Sequence, residues 1–371
     1  MAVYRIFPEK TSTIYSRYPL FNAGLDAIME IDSYYIGEDS FVARSLIAFN
    51  SEEQVDVVDN IIGSTNFSAS IKMYLAEGKE APTTYTISAY PLYDSWDRGT
   101  GRFGDSPYAT DGVNWLYSKP ETYWTSPLVA LTTGSYTTPD VEGGIWYTGS
   151  FGVSFDHFQT HNVDSTHDLA INITDSVIQH YNHSKGDVLN NISNNGYILK
   201  LDNANEFQTG RNIVLKYFSA NTNTIYPPCL EFKWDDSSFD TNLDVVSTDN
   251  LTLSVKANKG RYTDEGRQRF RLHVRPKFPV RTFATSSNYL TNYILPEHSL
   301  WGIRDEHTEE MVIDFDQDFT KVSADEVSSY FDVYMGSLQP ERHYRVLIKS
   351  TIDGSTTVHD QDLVFKVVRN G

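Results

Sequence analysis

A chain of 371 residues and 42.2 kDa has room for two domains at roughly 100–200 residues each, and 40% hydrophobic with 21% charged residues suits packed cores and excludes wholesale disorder. Thirty Lys and Arg against 49 Asp and Glu give a formal net charge of −19. Such a surface repels phosphate backbones and anionic lipid, so neither nucleic acid nor membrane is an expected partner. The single cysteine, Cys229, excludes an intramolecular disulfide and a thiolate zinc cluster.

The first ten residues lack the basic start, apolar run and small-residue cleavage site of a signal peptide. No run of about 18 apolar residues follows anywhere, so synthesis and folding in a cytoplasm are expected. Short alternating runs rich in Val, Ile, Thr, Tyr and Phe, bounded by Gly, Asn, Asp and Pro, predict an all-β fold. Strands are expected at 2–6, 27–33, 44–49, 68–75, 84–92, 195–201, 211–219 and 230–234. Two short helices are expected. Val55, Val58, Ile61 and Ile62 share one helical face within 52–62, and 174–180 is capped by Thr174 or Asp175. The stretch 100–164 reads as a long loop region crowded with Gly, Thr, Tyr and Trp, of the kind that carries function or interfaces.

The reading places a first domain at 1–235, a polar linker at 236–250 and a second β-sandwich at 251–371. Strands of the second are expected at 251–256, 269–274, 310–315, 330–335, 343–349 and 363–368. Leu338, Pro340 and Tyr344 have the spacing of a tyrosine corner, in which a hydroxyl ties the start of a strand to nearby backbone.

Catalytic signatures are missing from the sequence. It has no Gly-x-Ser-x-Gly elbow, and Cys229, entering a strand after two prolines, reads as a small core residue. Gly99, Gly101 and Gly104 have dinucleotide-loop spacing without a strand–helix context. His157, His161, His167, His180 and His183, interleaved with Asp156, Asp164 and Asp168, match no ligand motif and read as a solvated polar loop; calcium would be the better guess than zinc. The sequence singles out no carboxylate pair for glycoside cleavage. No catalytic residue, metal ligand or cofactor is expected.

Aromatic residues carry more information. Trp96 and Trp115, near strand ends, read as core. Tyr123, Trp124, Trp146 and Tyr147 are the candidates for a protein interface or a glycan platform, because exposed rings anchor both.

Several motifs together resemble a known family. They are Thr13-Ile14-Tyr15, Asn22-Ala23-Gly24, the strand from Arg44 to Phe49, the loop from Ser95 to Gly101 continuing to Asp111-Gly112-Val113-Asn114-Trp115, Gly196 before an aliphatic strand, and Pro227-Pro228-Cys229-Leu230. This set resembles the DNRLRE-type β-sandwich family, which is akin to carbohydrate-binding modules and occurs on surface and virion proteins. The first ten residues are similar to structural proteins of tailed bacteriophages, those of cyanobacterial myophages and crAss-like phages. The resemblance covers residues 1–235. It implies a jelly-roll-like N-terminal β-sandwich in a non-enzymatic virion protein of the neck, tail or capsid; the corner spacing of Leu338, Pro340 and Tyr344 makes the second sandwich immunoglobulin/fibronectin-like. The expected partners are other virion proteins and further copies of the chain, with location in the virion after assembly in the host bacterial cytoplasm. A host-glycan-binding module on a fibre or collar is the alternative, with carbohydrate as partner and Tyr123, Trp124 and Tyr147 exposed. A polysaccharide-degrading enzyme is the third. The residues 118–144 exceed what a minimal binding module needs, which favours assembly contacts.

Overall fold

The computed structural model describes residues 2–79, 81–125, the backbone of 134–136, and residues 142–207, 210, 212–279 and 291–370. The described chain is mostly β-sheet with a few short helices. Its contacts divide it into two compact units, one of Ile6–Glu231 and one of Met1–Arg5 with Phe232–Gly371. The first five residues therefore belong with the C-terminal half, against the reading of 1–235 as one piece. Val3 is the reason, since it sits in the C-terminal unit's apolar core at 2% exposure. Residues 236–250 are likewise no free linker. Phe239 bridges Ala324, Val245 bridges Ile294, and Val246 is buried in the same core. The polar stretch carries just enough apolar residues to be pinned down.

In the unit Ile6–Glu231, one large antiparallel sheet runs in the order Phe158–His161, Tyr85–Pro91, Tyr197–Leu201, Asp39–Ala48, Ile28–Ile36, Ile213–Phe218 and Leu75–Lys79, with Lys10–Tyr15 also paired to Asp39–Ala48. Tyr197–Leu201 is buried at every position. Ile28–Ile36 is two-faced, with Met29, Ile31 and Ser33 buried on one side and Ile28, Glu30, Asp32 and Tyr34 on the other, as the two-residue strand period requires. A second antiparallel pair joins Ser68–Met73 to Leu169–Asn172, setting Ile71 against Ile171. The two expected helices form at Ser51–Asp56, which continues into a wide π turn at Val57–Ile62, and at Thr174–Ser184. Asn50 caps the first through its side chain. The second has no side-chain cap, because Ile173 stands at its N-cap; the Thr174 hydroxyl accepts the Ala69 N–H.

In the other unit, Leu251–Lys256, Arg267–Pro276, Ser329–Tyr334 and Ser323–Ala324 form one sheet. Arg261–Thr263, Ser355–Val368, His343–Ile352, Leu300–Asp305 and Met311–Ile313 form another. Side chains of both sheets meet in one apolar cluster, where Trp301 stacks on Phe331 at 5.0 Å and Phe331 on Phe270 at 5.4 Å. The tyrosine corner is present. Tyr344 is buried, and its hydroxyl donates to the Gln339 carbonyl at 2.9 Å.

Candidate functional site

The four aromatic residues singled out in the sequence do not form one surface. Trp124, Trp146 and Tyr147 are 2%, 3% and 7% exposed, whereas Tyr123 is 62% exposed. Trp124 and Trp146 join Trp96 and Trp115 in one buried cluster, so the expectation that they face a partner is corrected. A buried charge lies against two rings of this cluster, Trp115 and Trp146. The Arg44 guanidinium lies 4.8 Å from the Trp115 ring and 5.3 Å from the Trp146 ring. It donates to the Glu206 carboxylate at 2.7 and 3.2 Å and to the Gly143 carbonyl at 2.7 Å. Lys200 closes the group at 2.7 Å from Glu206, and burial, opposed by Glu206, pulls its ammonium below the usual lysine range. A buried cation needs both a counter-charge and donors' partners, and tryptophan faces supply the rest of its shell. Tyr147 forms one wall of an open cleft of about 530 Å³ with Tyr93, Asp94, His183, Leu189 and Asn195. Tyr123 sits on a short hairpin with its ring 4.6 Å from that of Tyr117. Part of the stretch 118–144, residues 126–133 and 137–141, lies outside the described residues.

The histidines differ from expectation as well. His157, His161 and His180 are buried rather than solvated. Burial lowers His157 to about 4 and His180 to about 3. Among the described residues no three His, Cys, Asp or Glu side chains converge as a metal site.

The motif residues Asn22 to Gly24, Arg98 to Gly101 and Gly112 do converge. Asn22 is fully buried. Its amide donates to the carbonyls of Arg98 at 2.8 Å and Val113 at 2.9 Å, and its Oδ1 accepts from Gly101 N at 2.9 Å and Gly24 N at 3.2 Å. All four bonds of the side-chain amide are used. A Cβ on Gly24 would collide with the Arg98 carbonyl, and one on Gly101 with the Asn22 carbonyl, so both positions need glycine for close backbone approach. Of the glycines with dinucleotide-loop spacing, Gly99 and Gly101 are therefore packed against Asn22, while Gly104 stands in open space with a positive φ of 90°. Thr100 is held by Asp111 through backbone and hydroxyl at 3.0 and 2.7 Å, and the Phe103 N–H is held by both oxygens of Asp26 at 3.1 and 2.9 Å.

This junction positions an exposed aromatic face. Phe103 is 57% exposed yet packs 5.7 Å from both Tyr15 and Phe21. Tyr18, Leu20 and Tyr108 are also exposed, and they border an open apolar hollow of about 300 Å³ with Arg17, Pro19 and Phe21. Beside it lies a second cleft, of about 310 Å³, whose lining includes Tyr15, Tyr34, Phe103, Asp26, Glu30 and Asp32. Strand register builds its floor. Asp32 is paired with Ala43 and Val214, Glu30 with Lys216, and Tyr15 with Ala43, so these side chains share one sheet face. The Lys216 ammonium is 3.0 Å from Glu30. The Arg17 guanidinium hangs at the rim, 5.8 Å from the Tyr34 ring and 5.4 Å from that of Tyr18. Asp32 is 6% exposed, and burial together with Glu30 pushes its carboxyl up to about 8. Burial also raises Asp26.

Of these cleft residues, Tyr15 stood out in the resemblance and Phe103 among the aromatic residues near the tryptophans; Asp26, Glu30, Asp32 and Tyr34 did not stand out. The available signal was Glu30, Asp32 and Tyr34 at alternate positions of the strand Ile28–Ile36. That marks a polar sheet face, but only the structure brings the loop bearing Phe103 over it.

Comparison with known proteins leaves the family open. No family model and no curated protein matches the chain. Among solved structures, the β-glucuronidase of Parabacteroides merdae aligns over 96% of this chain and 36% of its own length, at 8% identity and a TM-score of 0.17. The chain thus spans about a third of that enzyme, and a likeness this weak says nothing about this chain's activity.

Proposed function

We propose that the chain is a non-enzymatic structural protein of a tailed-phage virion, a neck, tail or capsid-associated component that works through protein–protein contacts. In this reading the unit Ile6–Glu231 is a jelly-roll-like sandwich and the C-terminal unit an immunoglobulin/fibronectin-like one; the tyrosine corner at Tyr344 supports the second assignment. The observation that carries the functional reading is the face of Tyr18, Leu20, Phe103 and Tyr108. Large apolar side chains are exposed together on loops that a fully bonded Asn22 holds rigid. Preordered apolar anchors are what a protein contact uses, since little entropy is lost when they are covered. The net charge of −19 keeps free subunits apart and favours a basic partner surface.

The test is immunogold electron microscopy of purified phage particles with an antibody raised against the chain. Labelling at one fixed position on the particle is the expected result. Particles that lack the chain, from lysates that contain it, would sink the proposal.

A further inference from the structure

We propose that the outward face of the sheet formed by Leu251–Lys256, Arg267–Pro276 and Ser329–Tyr334 is a docking surface for an extended, carboxylate-rich segment of a partner protein. It belongs to the C-terminal unit and does not depend on the virion reading.

In a chain of net charge −19, this face is basic. Phe270, Leu272 and Val274 are buried in the core, so the two-residue strand period turns Arg267, Arg269, Arg271, His273 and Arg275 outward. Register sets Lys256 beside Arg271 on one side and Asp332 beside Arg269 on the other. Asp332 accepts from both Arg267 and Arg269, and Asp325 accepts from Arg271 at 3.0 and 2.8 Å. Two guanidiniums thus share one carboxylate, and positive charge is left in excess. These groups are also ordered in advance. Asp332 is 4% exposed beneath its arginines, whereas the side chains of Arg267 and Arg269 are 45% and 40% exposed. Arg269 bonds Asp332 through Nε and Nη2, both at 2.9 Å, and lies 4.0 Å from the Tyr330 ring; its Nη1 donors take no part in these bonds. A guanidinium fixed in this way takes up a further carboxylate at little entropic cost. The spacing selects a peptide. Alternate positions of a strand stand about 6.6–6.8 Å apart, which is also the spacing of every second side chain in an extended segment, so acidic residues at alternate positions match the arginines in register. From Arg267 to Arg275 the stripe runs about 27 Å, the length of about nine extended residues. A long polyanion would run past it onto the surface of an acidic chain and be repelled. Arg267–Pro276 has a strand on each side, so the segment lies across the face and adds no strand to an edge.

The experiment is fluorescence anisotropy of the full chain with a labelled peptide of alternating Glu and Thr, about nine residues long, at about 50 mM and about 300 mM salt. An oligothymidylate and a heparin oligosaccharide of equal charge are the comparison anions. The expected result is peptide binding at the lower salt that weakens at the higher. Arg269→Gln and Lys256→Glu should each weaken it about threefold to fivefold, while Lys79→Gln, in the other unit and 64% exposed, leaves it unchanged. Circular dichroism melting checks the fold of each variant; Lys256 is exposed, so its variant carries the test if Arg269→Gln disturbs Asp332. No peptide binding at the lower salt overturns the proposal. So does binding that survives both stripe variants, or that Lys79→Gln weakens as much. Tighter binding of the oligothymidylate or the heparin fragment than of the peptide overturns the assignment to an acidic protein. None of these results moves the immunogold label, so this proposal and the virion assignment fail separately.

Discussion

Two aromatic regions of the unit Ile6–Glu231 use similar residues to opposite ends. Around Trp146 the rings are buried and enclose Arg44 and its carboxylate. Around Phe103 the rings are exposed and border a cleft lined by Asp26, Glu30 and Asp32. In the first region Arg44 and Lys200 are paired with Glu206 under the rings. In the second, Tyr18, Phe103 and Tyr108 stay open to solvent. Ring count along the sequence therefore does not locate a contact surface; the burial of the rings does.

The sharpest way to break this contrast is to remove one partner in the buried region. Glu206→Gln leaves Arg44 and Lys200 without their counter-charge and should lower stability by about 3–5 kcal/mol, read from urea denaturation. A loss under about 1 kcal/mol would mean the buried charges are not held as described. Trp146→Ala should cost about 3–5 kcal/mol as well, whereas Phe103→Ala should cost less than about 1 kcal/mol; equal losses would erase the distinction between the two regions. Gly101→Ala tests the brace. Its new Cβ meets the Asn22 backbone, and a loss of about 1–3 kcal/mol is expected, with faster hydrogen exchange confined to residues 98–104 and 22–26.

A smaller effect concerns pH. His157 and His180 are held neutral by burial, at about 4 and about 3, while the unfolded chain takes up those protons near the ordinary value of about 6.5. The unfolded state then binds more protons, so their contribution to stability falls as pH drops from about 6.5 and levels off below about 3. Asp32 works the other way. Its carboxyl is raised to about 8, so its contribution favours the folded state at low pH and is lost as pH rises from about 4 to 8. Denaturation from pH 4 to 8 should therefore show a shallower acid slope for His180→Leu than for the unaltered chain, and a higher relative stability for Asp32→Asn at pH 8. Parallel curves for all three would contradict the burial of these groups.

Much of the β framework was legible in the sequence. Alternation marked Leu251–Lys256 and Ala2–Ile6 to the residue, and the spacing of Leu338, Pro340 and Tyr344 located a real side-chain-to-backbone tie. Short strands such as Leu169–Asn172 escaped, because four residues carry too little period. The location of the site was not legible. Trp124 and Trp146 look alike whether they cover a buried arginine or face a partner, and Arg44 gives no local sign that Glu206 lies against it 162 residues away. The motif around Asn22 was visible as a resemblance, but its meaning is a glycine-lined junction that only long-range contact reveals. The histidines looked solvated because they alternate with Asp and Thr; the burial of His161 and His180 goes with packing against Tyr85 and Tyr197 on other strands.

The central claim is that the Tyr18–Phe103–Tyr108 face, and not the tryptophan region, meets the outside partner. Hydroxyl-radical footprinting of the chain, free and on purified particles, tests it directly. The account predicts that Tyr18, Leu20, Phe103 and Tyr108 are oxidised in the free chain and protected on the particle, while Trp124 and Trp146 are protected in both. Protection confined to other exposed residues such as Tyr123 or Leu189, or ready oxidation of Trp124 and Trp146 in the free chain, would contradict it.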